Sequence, residues 1–176
     1  MKRVVLIGSE STGKTTLARQ LAEHYDVEWV PEFVRDYADR KQGALVFDDH
    51  APIAHGQIAL ENEYLTRAAE ANAPILLQDT DLLSTAIYCA HYYGKCPVWL
   101  ADAAQARRPD LYLLLDIDIP WTADPVRDRG HMREEIQELF RQAVERSGTA
   151  FVLISGDRDQ RFQKARKEID DLLHAG

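Results

Sequence analysis

The chain has 176 residues, of which 45% are hydrophobic and 28% charged, and this size fits one globular domain over residues 1–176. A formal net charge of −8 argues against a nucleic-acid partner, because a phosphate backbone is repelled by that field on average. The two cysteines are too few for a disulfide framework, and no apolar run approaches the roughly 20 residues that span a membrane. We therefore expect a cytoplasmic protein that acts on a small molecule, without nucleic-acid or membrane partners.

Apolar runs that predict strands alternate with segments of helical periodicity along the chain. The predicted strands are residues 4–7, 27–30, 74–78, 111–115 and 151–154. The predicted helices run from Lys14 to about residue 26, from Asp49 as N-cap to about Ala71, from about His131 to Ser147, and from Arg158 to Leu173, and further helical stretches lie between about residue 82 and Ala106. This order predicts an α/β fold, a three-layer sandwich with a five-stranded parallel sheet. In such folds ligands bind at the carboxyl ends of the strands.

The segment that begins at Gly8 reads G-S-E-S-T-G-K-T and fits every fixed position of G-x-x-x-x-G-K-[ST]. It lies between a predicted strand and a predicted helix, where the N–H groups of the loop and the helix N-terminus attract phosphate. Lys14 would supply a cation at the β/γ oxygens, and the Thr15 hydroxyl would hold Mg²⁺. The motif predicts a P-loop that binds a nucleoside triphosphate with Mg²⁺. Because the sequence lacks the N-K-x-D signature of guanine-binding proteins, the nucleotide is predicted to be ATP. The predicted ATP-binding residues are Gly8, Glu10, Ser11, Thr12, Gly13, Lys14, Thr15 and Thr16.

Acidic residues follow two of the other predicted strands. Asp79, at the end of the third strand, is favoured over Asp116 to hold Mg²⁺ through water or to act as a base. The alternative is that Asp79 and Asp81 cap the next helix. Glu32 follows the second strand, with Arg35 one helical turn on. This carboxylate would accept a proton from an attacking hydroxyl while the arginine orients substrate, or the two form a surface i, i+3 ion pair.

The charged loop at about 121–133 is predicted to be a lid. Its Arg127 and Arg129 are the preferred pair to stabilise the charge on a transferring phosphoryl group, and a lid excludes water from that reaction. The alternative is a solvated, self-paired run of charges. Trp121, in the same loop, either stacks on a flat ring of the ligand or packs against the protein.

Five segments occur in one order along nearly the whole chain. They are G-S-E-S-T-G-K-T-T-L-A at the P-loop, V-P-E-F-V-R-D-Y after the second strand, I-A-x-G-Q around Gly56, D-T-D-L-L-S-T from Asp79, and D-I-P-W-T-A-D-P-V-R-D-R from Asp118. Together they resemble the ribosylnicotinamide kinase domain of the NadR family. The resemblance implies a P-loop kinase that transfers the γ-phosphate of ATP to the 5′-hydroxyl of nicotinamide riboside, which yields nicotinamide mononucleotide for NAD synthesis.

The resemblance also implies roles for individual residues. The catalytic set would be Lys14, Glu32, Asp79, Arg127 and Arg129, and Thr15 and Asp79 would hold the metal. The substrate set would be Glu32, Arg35, Asp81 and Trp121, with Trp121 facing the pyridinium ring. Because the chain starts at the kinase strand, we do not expect the adenylyltransferase activity of longer family members. The other functions in play are a kinase for another nucleoside or metabolite and a non-catalytic ATP-binding sensor.

Overall fold

The computed structural model describes residues 1–120 and 132–175. Its strands are β1 (Lys2–Ile7), β2 (Trp29–Val30), β3 (Ile75–Asp79), β4 (Leu111–Leu115) and β5 (Ala150–Ile154). Its helices are α1 (Lys14–Tyr25), α2 (Phe33–Lys41), α3 (His50–Glu70), α4 (Leu82–Tyr93), α5 (Val98–Ala106), α6 (Arg133–Ser147) and α7 (Arg158–His174). No helix within these two ranges combines the length and the apolarity needed to cross a membrane.

The five strands form one parallel sheet in the order β2-β3-β1-β4-β5, which confirms the predicted α/β architecture. β1 is central, and Leu6 near its end is in register with Asp79, the last residue of β3. The chain therefore leaves β1 into the P-loop directly beside the carboxyl end of β3. The chain continues from β1 to β2 on one side of this point and from β3 to β4 on the other. Open parallel sheets bind their ligands in the crevice at such a point, outside the carboxyl ends of the strands.

Helices cover both faces of the sheet, so the central strands are buried on both sides. On one face α1 and α7 pack through Leu17, Leu21, Ala165 and Ile169. On the other face α4 and α6 contribute a second core, whose members include Ile87, Tyr88, Ile136, Phe140 and Val144. A third cluster joins α3 and α5 to α4. The first two clusters pack the sheet between helices on both faces, and this packing fixes the positions of the strand ends.

The second strand is shorter than predicted, since only Trp29 and Val30 pair with β3. The preceding residues connect the end of α1 to the strand: Asp26, the C-cap of α1, adopts a left-handed φ of 52°, and the N–H of Val27 donates to the carbonyl of Ala22. Residues 27 and 28, the first half of the predicted strand, therefore lie in this connection and not in β2. Helix α2, directly after the strand, was not predicted, because it has no buried residue and therefore no clear apolar stripe.

Asp49 occupies the N-cap position of α3, as predicted, but its side chain does not cap the helix. Asp49 has helical dihedral angles, ends a 3₁₀ turn over Phe47–Asp49, and makes no side-chain cap bond to α3. Its carboxylate instead accepts hydrogen bonds from the N–H of Val46 at 2.6 Å, from the Tyr37 hydroxyl at 2.8 Å, and from Lys41. The Asp49 carboxylate therefore links α2 to the start of α3 and does not bond to the N–H groups of α3.

Candidate functional site

The loop from Gly8 to Gly13 closes tightly between β1 and α1. Gly8 has φ +140°, and a Cβ atom there would lie 2.8 Å from the carbonyl oxygen of Leu115 on β4. Gly13 takes a left-handed φ of 85° immediately before α1 begins at Lys14. Both glycines of the motif are therefore needed for backbone geometry and close approach. Thr16, the last predicted ATP-binding residue, is exposed in the first turn of α1.

Lys14 is folded into this loop. Its ammonium donates to the carbonyl oxygens of Gly8 at 3.0 Å and Ser9 at 2.6 Å, and it lies 3.5 Å from the hydroxyl of Thr12. The residue is 6% exposed. The ammonium therefore lies inside the loop, where the lysine of a P-loop approaches phosphate oxygens.

Thr15 and Asp79 meet at the junction of α1 and β3. The Thr15 hydroxyl donates to Oδ2 of Asp79 at 2.5 Å, and Asp79 is 2% exposed. The pair matches the donor set that Mg²⁺ takes in phosphoryl-transfer sites, where one or two carboxylates act with substrate phosphates and water. The fold thus brings together the two residues that were predicted to hold the metal.

Glu32 and Arg35 form an ion pair at the start of α2. The Arg35 Nε lies 3.1 Å from Oε2 of Glu32, with 7% of the glutamate side chain and 43% of the arginine side chain exposed. The i, i+3 pair foreseen as the alternative therefore forms. It differs from a surface pair because its carboxylate is buried beyond the carboxyl end of β2, with the partly exposed arginine above it.

Helix α3 fixes the start of α2 through Gly56 and Gln57. The N–H of Phe33 donates to Oε1 of Gln57 at 2.9 Å, which supplies a partner for an N-terminal N–H of α2. A Cβ atom on Gly56 would lie 2.1 Å from Cε1 of the Phe33 ring. Since Glu32 precedes Phe33 in the chain, these two contacts set the position of the Glu32 carboxylate.

We expect Gly56→Ala to lower the free energy of unfolding by about 1 kcal/mol, measured by urea denaturation. Overpacking against the ring costs roughly 1–3 kcal/mol, whereas alanine in a helix interior gains only about 1 kcal/mol over glycine. The same change in a Phe33→Ala background should instead stabilise the protein, because only the helix propensity remains. Stabilisation by Gly56→Ala in both backgrounds would contradict the contact.

Asp81 forms the N-cap of α4, as the capping alternative predicted. Its Oδ1 accepts from the N–H groups of Leu83 at 3.0 Å and Ser84 at 3.4 Å, and its Oδ2 accepts from the Tyr112 hydroxyl at 2.7 Å. Tyr112 lies in the core cluster between the sheet and helices α4 and α6. The substrate role of Asp81 stays a prediction beside this observed one.

Burial raises the pKa of the Asp81 carboxyl to about 6, and the negative charge of Glu61 adds to the rise. Hydrogen bonds from Tyr112, Ser84 and Leu83 oppose it. The folded protein therefore binds a proton more tightly at Asp81 than the unfolded chain, whose carboxyl has the ordinary pKa near 3.8.

This shift predicts that the free energy of unfolding contributed by Asp81 falls as the pH rises from about 4 to about 6. The loss is on the order of 3 kcal/mol and levels off above that window. Urea titrations across the window should show the decline in the wild type and a flatter profile in Asp81→Asn, whose amide oxygen still caps α4. An equally steep decline in the variant would contradict the assignment.

Glu10 was predicted to bind ATP, and its side chain turns toward α4. Its Oε2 accepts a hydrogen bond from the Tyr88 hydroxyl at 3.0 Å, and the residue is fully buried. The neighbouring N–H of Ser9 donates to Oε1 of Gln137 at 3.2 Å, while Nε2 of Gln137 donates to the carbonyl of Leu115 at 2.8 Å. Helices α4 and α6 thus hold the first half of the loop through side chains.

Two arginines outside the predicted set of site residues also contact the P-loop. Arg133, the first residue of α6, donates to the carbonyl of Ser11, and Arg161 of α7 donates to the carbonyl of Thr12. The helical periodicity of the sequence could have indicated them, because each arginine lies on the buried face of its helix, where an apolar residue is usual. Arg133 had been placed at the end of the predicted lid.

The remaining predicted residues Trp121, Arg127 and Arg129 lie outside the described residues, as do residues 121–131 of the lid.

The chain is similar to known proteins in sequence and in structure. The sequence profile of the family described as AAA domain matches residues 3–161. The trifunctional NAD biosynthesis/regulator protein NadR of Escherichia coli (strain K12) is 29% identical over 98% of the chain, which confirms the resemblance found in the sequence. The chain spans 43% of the length of that relative.

Two crystal structures of NadR protein are also similar. One, in complex with NR, is 27% identical, has a TM-score of 0.76, and is matched over 97% of this chain and 51% of its own. The other, in complex with NAD and AMP-PNP, is 27% identical with a TM-score of 0.73, and the match covers 97% of this chain and 49% of its own.

Proposed function

The chain belongs to the family of AAA domains, and from that premise we propose that it is an ATP-dependent kinase that phosphorylates the 5′-hydroxyl of nicotinamide riboside. The product is nicotinamide mononucleotide, and we place the activity in the cytoplasm. The observation that carries the proposal is the contact of Thr15 with Asp79 beside the P-loop lysine. NadR, which is similar over nearly the whole chain, binds NR and AMP-PNP in its structures, and this supports the acceptor and the donor.

The residues divide the reaction between them. Lys14 and the N–H groups of the P-loop bind the triphosphate, while Thr15 and Asp79 would hold Mg²⁺, which would neutralise charge on the phosphates. The 5′-oxygen of the acceptor forms a bond to the γ-phosphorus, and the bond from that phosphorus to the β,γ-bridging oxygen breaks, so that ADP leaves. The hydroxyl proton goes to the carboxylate of Glu32 or Asp79.

The other predicted residues complete the proposal. Arg35 and Asp81 would contact the ribose, and Arg127 and Arg129 would stabilise the charge that spreads over the γ-oxygens. Trp121 stacks on the pyridinium ring, since a cationic ring is attracted to an indole face.

Release of ADP from Mg²⁺-ATP tests this function with nicotinamide riboside, a panel of ordinary nucleosides, and water alone as the control. We expect the highest kcat/KM with nicotinamide riboside, and mass spectrometry should identify nicotinamide mononucleotide. If another nucleoside gives the highest kcat/KM, the assignment as a kinase stands and that nucleoside is the acceptor in place of nicotinamide riboside. Bound ATP with no phosphorylated acceptor would contradict the kinase proposal and favour a nucleotide sensor.

A further inference from the structure

Two buried arginines contact consecutive carbonyl groups of the P-loop. Nη2 of Arg133 lies 3.1 Å from the carbonyl oxygen of Ser11, and Nη1 of Arg161 lies 2.6 Å from that of Thr12. We propose that Arg133 and Arg161 are positioning residues that orient the P-loop N–H groups toward the ATP phosphates. This inference rests on the ATP binding in the proposed function and adds a role for residues that neither hold metal nor contact the acceptor in it.

Peptide geometry gives the arginines this effect. In a trans peptide the C=O and the N–H of the next residue point in opposite directions, and the described backbone has no cis bond. The carbonyl of Ser11 shares its peptide plane with the N–H of Thr12, and the carbonyl of Thr12 shares its plane with the N–H of Gly13. Holding both carbonyls against the arginines therefore turns the N–H groups of Thr12 and Gly13 to the opposite side of the loop.

The backbone at this point needs such support. Ser11 has φ +53° and Gly13 has φ +85°, so left-handed residues flank Thr12 on both sides. The left-handed conformation is unfavourable for a residue with a side chain, and it persists where surrounding contacts determine it. The two guanidinium contacts are made at the carbonyls of Ser11 and Thr12, within this strained turn.

The arginines also connect the loop to the carboxyl end of the sheet. Arg161 donates to the carbonyl of Gly156 at 2.8 Å after β5, to the carbonyl of Asp116 at 3.1 Å after β4, and to the Asp118 carboxylate. Arg133 donates to the carbonyl of Ile119 at 2.7 Å. Movement of the P-loop against β4 and β5 would break these bonds, so the loop is held in one place relative to the strand ends.

The positions of the two arginines in their helices are locally unfavourable. Both lie in the first turn or just beyond it, where the helix dipole disfavours positive charge, and both are buried, at 9% and 5% exposure. Residues that are unfavourable for local structure, such as these buried arginines near helix N-termini, are expected mainly at functional sites. Asp118 compensates part of the charge of Arg161, and its own pKa lies below the ordinary value: burial opposes this shift, but the Gly156 N–H and Arg161 outweigh it.

Titration calorimetry with Mg²⁺-ATP on the full chain tests the proposal through Arg161→Met. We expect the Kd for ATP to rise about tenfold, because the Thr12 peptide is no longer held. The KM for the acceptor should stay within twofold of the wild-type value. Arg161→Lys keeps the charge but has a single donor atom, so its Kd for ATP should be intermediate.

Arg107→Met is the matched control. Arg107 is also a partly buried arginine, paired with Glu61 at 2.8 Å and bonded to Asn62, but it lies away from the P-loop. Its loss should lower the melting temperature while the Kd for ATP stays within twofold of the wild-type value. A folded Arg161→Met that binds ATP as tightly as the wild type, or an equal loss in Arg107→Met, would overturn the proposal.

Two features keep the test decisive. If Arg161→Met does not fold, Arg161→Lys is judged by the same criterion, and free guanidinium added to Arg161→Ala should restore ATP binding. The Kd for ATP is measured without an acceptor, so a wild-type protein that binds ATP but does not phosphorylate nicotinamide riboside contradicts the proposed function alone.

Discussion

We expect Lys14→Ala to lower kcat/KM for phosphoryl transfer by about a thousandfold, measured as ADP release with the best acceptor. The ammonium lies within the P-loop, held by the carbonyls of Gly8 and Ser9, and no other described lysine contacts that loop. A fixed cation in a site that excludes water stabilises developing phosphate charge, and the loss of one such group typically costs 10²–10³-fold in rate.

The fold should survive this change. Two hydrogen bonds from the Lys14 ammonium to loop carbonyls are lost, each of which contributes about 1.5–3 kcal/mol. The desolvation cost of the buried ammonium is lost with them, so we expect the free energy of unfolding to fall by only about 2–3 kcal/mol. Lys164→Ala removes a lysine from the exposed part of α7 and should leave both turnover and stability unchanged. A folded Lys14→Ala with full activity would contradict the assignment of the P-loop.

The second large effect is expected for Asp79→Asn, which keeps an oxygen to accept from Thr15 but removes the negative charge. We expect kcat to fall by roughly 10²–10³-fold, because the carboxylate either holds Mg²⁺ or takes the acceptor proton. The dependence of the rate on Mg²⁺ concentration separates the two roles. A rise in the concentration needed for half-maximal rate indicates metal binding, whereas a lower kcat at unchanged Mg²⁺ dependence indicates the base.

Asp116→Asn is the matched comparison, since Asp116 also follows a central strand. Its Oδ1 accepts from the N–H of Ile117 at 2.8 Å, next to it in the chain, in contrast to the contact of Asp79 with Thr15. We expect Asp116→Asn to retain activity within a few fold. Glu32→Gln, measured in parallel, should reduce kcat without altering the Mg²⁺ dependence if the buried Glu32 carboxylate is the base. Equal losses in Asp79→Asn and Asp116→Asn would exclude a special role for Asp79.

Most of the secondary structure was predictable because its signals are local. Apolar runs marked β1, β3, β4 and β5, and helical periodicity marked α1, α3, α6 and α7 to within a few residues in the described ranges. The predictions were incomplete where the local signal was weak or where a side chain bonded to a distant partner. Helix α2 has no buried stripe, and Asp49 found partners in Tyr37 and Lys41 that the local sequence does not reveal.

The sequence by itself determined the order of strands and helices and the phosphate-binding loop, since periodicity, glycine positions and the lysine of the motif act over a few residues. Tertiary structure decided which side chains meet. Thr15 contacts Asp79 across 64 residues, and Arg161 reaches the Thr12 carbonyl across 149. It also decided that the Asp81 carboxylate accepts a hydrogen bond from the Tyr112 hydroxyl and that Glu32 is buried. Such contacts depend on strand order and helix packing, which bring together groups that no local pattern connects.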